Sequence, residues 1–309
     1  MRRWDQLTEK FRKTLEVRGL VASTIKGQIR EMERWGLHLK RQRPWVKLEE
    51  VGREQIEPYL IKRCRFKAKS TRNSILSHVR RIGKFLVSEG IWLENPMRWI
   101  HGPRRNGRQK LPRTVSKSVL TKLMQAAASM QGEYQRRLWP CIVAILYGAG
   151  PRRGQLMGLK VRDWDRTQGL LRLGISKRGD EHIVAVPEVT GRCIEAYLPW
   201  RQNVLFENGA EHEELLISAT GRPLKPNRVN KTLKRLAARA EVGHIWPHRL
   251  RHSCATHLLE SGASISEVQR ILGHAYVGST MRYISVTDPM KHEAIKHHPI
   301  SGMLDGHEE

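Results

Sequence analysis

The sequence lacks any apolar run long enough to cross a bilayer. Its longest, Cys141 to Tyr147, is seven residues, against the roughly 20 that a spanning helix needs. No membrane partner is expected. The opening Met1-Arg-Arg-Trp-Asp-Gln turns polar and acidic at once and has no apolar stretch of the secretory-leader kind. Cysteine is scarce: Cys64, Cys141, Cys193 and Cys254 stand alone, with no C-x-x-C spacing. That excludes a thiolate zinc ribbon or a disulfide framework, and it reads as buried thiols in a reducing cytosol. There is no internal repeat and no low-complexity tract, so a solenoid is excluded as well.

Acidic side chains are also few. Asp plus Glu number 30 against 56 Lys plus Arg, a formal net charge of +26 in 309 residues. The excess is uneven: residues 1–110 carry 28 basic and 11 acidic side chains, net +17, and residues 111–309 carry net +9. A basic excess of this size favours a polyanion, because neutralising phosphates releases their condensed counterions. The length exceeds what one core usually fills, so two domains are expected.

Residues 1–101 read as helices joined by short loops. Ser23 is placed to cap a helix that carries Ile25, Ile29, Met32 and Leu37 to about Lys40. A second helix is predicted from about Arg53 to Arg63, and a third from about Thr71 to Ser88 with Ile75, Val79, Ile82 and Leu86 on one face. Between them Lys62, Arg63, Arg65, Lys67 and Lys69 surround Phe66, a cluster expected to contact the DNA backbone. Residues 102–113 hold glycine, proline and five basic side chains, with no apolar period. They are expected to be a linker whose Arg104, Arg105, Arg108 and Lys110 also lie on phosphates. Within 114–309, Ser116 looks like a helix cap, and an apolar helix follows from about Trp139 to Tyr147. Strands are predicted at Lys160–Trp164, Leu170–Ile175 and Ile183–Val186, with turns at 165–169 and 177–180. From Pro187 onward the chain reads as mostly helical.

Six residues in this second half stand out: Arg152, Lys177, His248, Arg251, His274 and Tyr283. Taken singly, each has an ordinary structural explanation: a turn, a hairpin tip, a helix face, a cap, a half-buried ring. Together, Leu146-Tyr-Gly-Ala-Gly-Pro-Arg152, Ile175-Ser-Lys177-Arg-Gly-Asp-Glu-His, Pro247-His248-Arg-Leu-Arg251-His and Leu272-Gly-His274 followed by Tyr283 resemble the tyrosine recombinase (phage integrase) family, in its order and spacing. The tail Lys296-His-His-Pro-Ile is similar to that of Xer-type members. Gly19-Leu-Val-Ala-Ser-Thr24 resembles the start of their helical core-binding domain.

The resemblance implies a mainly α protein: a helical, SAM-like core-binding domain at 1–101, a basic linker at 102–113, and a mostly α catalytic domain with a small antiparallel sheet at 114–309. It implies that Tyr283 attacks a DNA phosphate to give a 3′-phosphotyrosine and a free 5′-hydroxyl. Arg152 and Arg251 would hold the phosphate with forked donors. His248 would take the tyrosine proton, His274 would donate to the phosphate, and Lys177 would protonate the leaving oxygen. The ester conserves the bond energy, so no metal, ATP or other cofactor is implied. The expected partners are duplex DNA with inverted-repeat core sites and three further copies in a tetramer that forms a Holliday junction; whether a paralogous recombinase or an accessory protein joins the complex is left open by the sequence. The expected location is the cytoplasm, at the nucleoid. A terminal helix at about 291–298 is expected to pack on a neighbouring protomer.

Three departures from the family pattern are Pro151 for a leucine, Gln155 for an acid and Arg178 for a glycine. Gln155 can hydrogen-bond but brings no charge to fix Arg152. Three rivals remain. A type IB topoisomerase shares the chemistry, and a non-catalytic accessory protein on the same fold shares the shape. A metalloenzyme draws on the 14 histidines, yet His248 and His252 have no acidic third ligand nearby in sequence. The short distance from Arg251 to Tyr283 favours the recombinase. No long insertion separates Arg251 from His274, unlike the integron branch.

Overall fold

Apolar side chains recurring every three or four residues build the first unit of the structure, a computed structural model. It describes residues 2–42, 44, 46–103, 114–175 and 181–273. The chain divides into two compact units, Met1–Arg108 and Gln109–Glu309. In the first, α1 (Arg2–Val17), α2 (Ala22–Arg41), α3 (Arg53–Cys64) and α4 (Lys69–Ser88) enclose a core of Phe11, Leu15, Ile29, Met32, Ile56, Val79, Ile82 and Leu86. Trp35 is fully buried at its centre, edge-on to Trp4 at 5.7 Å and to Trp92 at 5.5 Å between ring centroids. Such edge contacts add to the area that three indoles remove from water.

Two starts differ from the sequence reading. Helix α2 begins at Ala22 behind Val21, whose side chain makes no cap bond, so Ser23 lies inside the helix. The reason is the connection: Gly19 takes a left-handed φ of +66° and the chain re-enters the helix within a few residues. Helix α4 begins at Lys69, two residues before Thr71.

The second unit runs α5 (Lys117–Ala128), α6 (Glu133–Gly148), α7 (Arg153–Gly158), β1 (Trp164–Asp165), β2 (Leu170–Ile175), β3 (Glu181–Ala185), α8 (Glu188–Glu207), α9 (Pro226–Arg239), α10 (Pro247–Glu260) and α11 (Ile265–Leu272). Ser116 caps α5, its Oγ accepting from Val119 N at 3.3 Å. Helix α6 is the central element. Cys141, Ile142, Val143, Ile145 and Leu146 are all buried, which is why this stretch carries no charge. The three strands form one antiparallel sheet in the order β1-β2-β3.

The fold class is the one expected, mainly helical with a small antiparallel sheet. The first strand is shorter than expected. Asp163 Oδ2 accepts from Lys160 N at 2.8 Å and folds 161–163 into a 3-10 turn, leaving two residues for β1. A short acid that bonds its own backbone competes with the sheet ladder. Strand β3 is displaced by one to two residues and pairs Ile183 with Arg172 and Val184 with Leu171. Its alternation buries His182 and Val184 and turns Glu181, Ile183 and Ala185 outward. Cys141 and Cys254 are buried, but Cys64 and Cys193 are half-buried, so the expectation of four buried thiols holds for two. No described helix is long and apolar enough to cross a membrane.

Most of the expected linker, the 177–180 turn and the 291–298 helix lie outside the described residues.

Candidate active site

Four short segments of the second unit meet at the C-terminal end of α11. The first is the turn after α6, where Gly150 has a φ of +57°. A Cβ there would also stand 2.7 Å from Leu272 Cδ2, so both the backbone angle and the close approach require glycine. Pro151 follows, then Arg152 in extended conformation at the N-cap of α7. The Arg152 N–H donates to Gln155 Oε1 at 2.9 Å, a reach-back that replaces a missing helical partner. The Arg152 guanidinium donates through an Nη to the Gly273 carbonyl at 2.9 Å. Burial pushes its pKa below the ordinary arginine value, and it stays charged at any physiological pH.

The second segment is the first turn of α10. His248 and Arg251, three residues apart, project from the same side of the helix. Arg251 is 3% exposed. Its two Nη atoms donate to the carbonyls of Gly150 and, at 2.7 Å, Leu272. The two arginines therefore tie the Gly150 turn, α7 and α10 to the carbonyls immediately preceding His274. Burial lowers the His248 pKa from 6.5, and the guanidiniums of Arg251, Arg153 and Arg152 lower it further. At neutral pH this imidazole is uncharged and can accept a proton.

Arg152, Arg153 and His248 line a cavity of about 710 Å³ together with Asn230, Lys231 and Lys234 of α9 and the loop residues His244 and Trp246. The α9 cations were not singled out in the sequence. They are legible in hindsight, because Val229, Leu233, Leu236 and Ala237 take the buried face of α9 and leave 230, 231 and 234 on the other. A cavity with four cations at its wall suits an anion.

The third and fourth segments are β3 and the end of α11, joined by His182. This ring is 6% exposed and was not singled out in the sequence either. Its Nε2 lies 3.0 Å from the Ile271 carbonyl and its Nδ1 lies 3.2 Å from Gln155 Nε2.

The tyrosines narrow the choice of nucleophile. The sequence has six, and Tyr59, Tyr134, Tyr147 and Tyr197 are described. Tyr59 donates to Glu31 at 2.7 Å, Tyr134 pairs with Tyr197 at 3.0 Å, and Tyr147 pairs with His257 at 2.8 Å. Burial is the first cause of a raised pKa in each: Tyr134 is pushed up to about 12, and the other three are raised as well. A phenol with a raised pKa is a worse nucleophile. Tyr276 and Tyr283 remain, both outside the described residues, as are Lys177 and His274.

In the first unit, Lys62, Arg65, Lys67 and Lys69 are exposed. Arg63 is turned inward: its Nε and Nη2 each donate to buried Glu31 at 3.1 Å, so it fastens α3 to α2. Lys62, Arg65 and Lys67 line a cavity of about 700 Å³ with Arg34 and Arg41 of α2. Phe66 is 88% exposed there, with a φ of +57° and the Arg65 guanidinium 4.8 Å from its ring centroid. Arg104, Arg105, Arg108 and Lys110 lie outside the described residues.

The second unit is thus an apolar α6 leading to the Gly150–Arg152 turn, beside a three-stranded antiparallel sheet and an α10 bearing His248 and Arg251. The pattern of the phage integrase family matches residues 113–290, and the chain belongs to that family. Among its relatives, the tyrosine recombinase XerD of Oceanobacillus iheyensis is 28% identical over 272 residues, covering 87% of this chain and 90% of that protein. The tyrosine recombinase XerC of Pseudomonas aeruginosa is 30% identical over 209 residues, 68% of this chain and 66% of that one. The fold is similar to that of the XerH site-specific recombinase bound to a palindromic difH substrate, with a TM-score of 0.71 and 16% identity over 94% of this chain and 84% of that one.

Proposed function

We propose that this protein is a site-specific tyrosine recombinase that cleaves and rejoins duplex DNA through Tyr283. The observation that carries the reading is that Arg152 and Arg251 both bind the carbonyls of the segment that leads into His274 and Tyr283, while His248, its pKa lowered by burial and by these arginines, lines one cavity with Arg152. The Tyr283 hydroxyl attacks phosphorus and passes its proton to His248. The P–O bond to the 5′-oxygen breaks, and Lys177 protonates that oxygen as it leaves. A tyrosine pKa of about 10 makes the proton acceptor necessary at neutral pH. Arg152, Arg251 and His274 donate to the non-bridging oxygens, where charge grows in the transition state. Arg153, Lys231 and Lys234, which line the 710 Å³ cavity with Arg152, hold the flanking phosphates.

The partner is duplex DNA carrying inverted-repeat core sites, gripped by 1–101 as a core-binding domain and by 114–309 as the catalytic domain. The linker cations Arg104, Arg105, Arg108 and Lys110, and the exposed Lys62, Arg65, Lys67 and Lys69, add sequence-independent affinity. Four copies on two sites exchange strands through a Holliday junction, in the cytoplasm at the nucleoid.

The test mixes wild type, Tyr283→Phe and Tyr276→Phe, without added metal, with a duplex library randomised around a nick. Denaturing gels then reveal covalent protein–DNA adducts. Adducts with wild type and Tyr276→Phe but not with Tyr283→Phe are expected. An adduct that persists in Tyr283→Phe contradicts the assignment.

A further inference from the structure

Three segments that lead to reacting residues pass through one side-chain pair. Arg152 caps the start of α7, on which Gln155 stands. The chain between β2 and β3 contains Lys177, and His182 is the second residue of the return strand. Gly273, at the end of α11, precedes His274. A carbonyl can only accept, so the 3.0 Å contact from His182 Nε2 to the Ile271 carbonyl puts a hydrogen on Nε2. In the neutral ring Nδ1 then holds a lone pair, and Gln155 Nε2 donates to it at 3.2 Å. The same amide nitrogen donates to the Leu173 carbonyl of β2 at 3.1 Å, while Gln155 Oε1 accepts from Arg152 N at 2.9 Å. The ring also stands close to Gly273, where a Cβ would come within 2.7–2.9 Å of three ring atoms.

We propose that Gln155 and His182 are a matched neutral pair of positioning residues that locks the Arg152 turn, the β2–β3 hairpin and the end of α11 into one catalytic frame. The proposal rests on the recombinase reading for its consequence and on the hydrogen bonds above for its geometry. It also gives the missing acid at 155 a physical reason. A glutamate would bring no N–H to either Nδ1 or Leu173, and its oxygens would face a carbonyl and a lone pair. Only a second proton on His182 would restore the contact. The surroundings oppose that proton: burial lowers the His182 pKa from 6.5, and the charges of Arg251 on α10 and Arg152 on α7 lower it further, while the carbonyls of Ile271 and Arg270 on α11 work the other way. Glutamine is the residue that suits a histidine kept neutral.

Two measurements test the pair, with circular dichroism to check that each variant folds. In the first, the full chain is labelled with ¹⁵N-histidine, and two-bond proton–nitrogen correlations give the tautomer and titration midpoint of His182, identified by its loss in His182→Asn. Wild type is expected to carry the Nε2 hydrogen and titrate below 6.5, and Gln155→Glu is expected to raise the midpoint by about one unit or more, as an adjacent carboxylate does. The opposite tautomer, or a midpoint that Gln155→Glu leaves in place, overturns the proposal. In the second, initial rates of adduct formation on the nicked duplex are compared from pH 8 to pH 6. The ratio of Gln155→Glu to wild type is expected to rise about tenfold towards acid, following the protonation of His182, and His182→Asn is expected to lower the rate with duplex affinity unchanged. A flat ratio would reduce Gln155 to a packing residue. The first measurement needs no DNA. A wild type that forms no adduct counts against the recombinase reading, while the tautomer and midpoint still decide the pair.

Discussion

Arg152 and Arg251 each bind the protein's own backbone at the place where a phosphate is proposed to sit. A guanidinium has five N–H donors in a rigid plane, so one fork can hold a carbonyl of α11 and present a second edge to an oxyanion. Lysine keeps the charge and loses that plane. Arg152→Lys is therefore expected to slow adduct formation about 100-fold, the order found for removing one preorganised donor, with duplex affinity by gel shift changed by less than about twofold because other cations hold the backbone. Parallel losses of affinity and rate would move Arg152 from catalysis to binding. Gly273 tests the frame. Its φ of +58° and the His182 ring 2.7 Å from a Cβ position make Gly273→Ala costly, by about 2 to 4 kcal/mol from left-handed strain and overpacking together. Urea unfolding followed by circular dichroism reads that loss; a loss of only about 1 to 2 kcal/mol, the left-handed strain alone, would mean that the ring yields.

Among the elements, the apolar stripes were legible and the contacts between elements were not. Ile25, Ile29 and Met32 foretell α2, Ile75 to Leu86 foretell α4, and Ser116 caps α5 as its sequence suggests. Ser23 does not cap, because the position of a helix start depends on the tight turn before it. The 160–164 segment reads as a strand from its composition, yet Asp163 bonds its own backbone into a turn. The roles of Arg63 and His182 were hidden for a different reason. Glu31, the partner of Arg63, lies 32 residues away, and Ile271, the partner of His182, lies 89 residues away. A basic run and a strand histidine carry no local mark of such partners. The family motifs pointed to Arg152, His248 and Arg251, which the fold brings together. The α9 cations and the neutral pair came from the geometry alone. The Glu31 cluster gives a prediction at this scale. Glu31→Ala leaves the Arg63 charge and the Tyr59 hydroxyl without their acceptor and is expected to cost the first unit about 3 kcal/mol, whereas Lys62→Ala on the exposed side stays within about 0.5 kcal/mol. Equal effects in urea titrations would count against a structural role for Arg63.

Charge and proton balance belong to the whole molecule. With a net +26, affinity for duplex DNA is expected to fall linearly on a log–log plot as salt rises, and Lys67→Ala is expected to shallow the slope by about one unit. Acid acts on stability through the histidines. Burial is the largest cause lowering the pKa of His38, His78, His182, His248 and His257 from 6.5. The unfolded chain takes up those protons near pH 6.5 and the folded chain takes them up lower, so between the two the unfolded state binds more protons. Stability from this source is complete above 6.5 and drains as pH falls through 6.5 towards the folded values. The melting temperature is therefore expected to drop between pH 7.5 and 5.5; a rise would mean that these rings gain partners for their charged form on folding.

The nucleophile is the claim on which the recombinase reading stands, and the sequence separates its two candidates. Trypsin, cutting after Arg270, Arg282 and Lys291, releases Tyr276 within residues 271–282 and Tyr283 within 283–291. Mass spectrometry of the nuclease-trimmed wild-type adduct is expected to find the nucleotide joined through a 3′-phosphate to Tyr283 in 283–291. A nucleotide on Tyr276, or on any of the four hydrogen-bonded tyrosines, would contradict the assignment and place the chemistry elsewhere in the molecule.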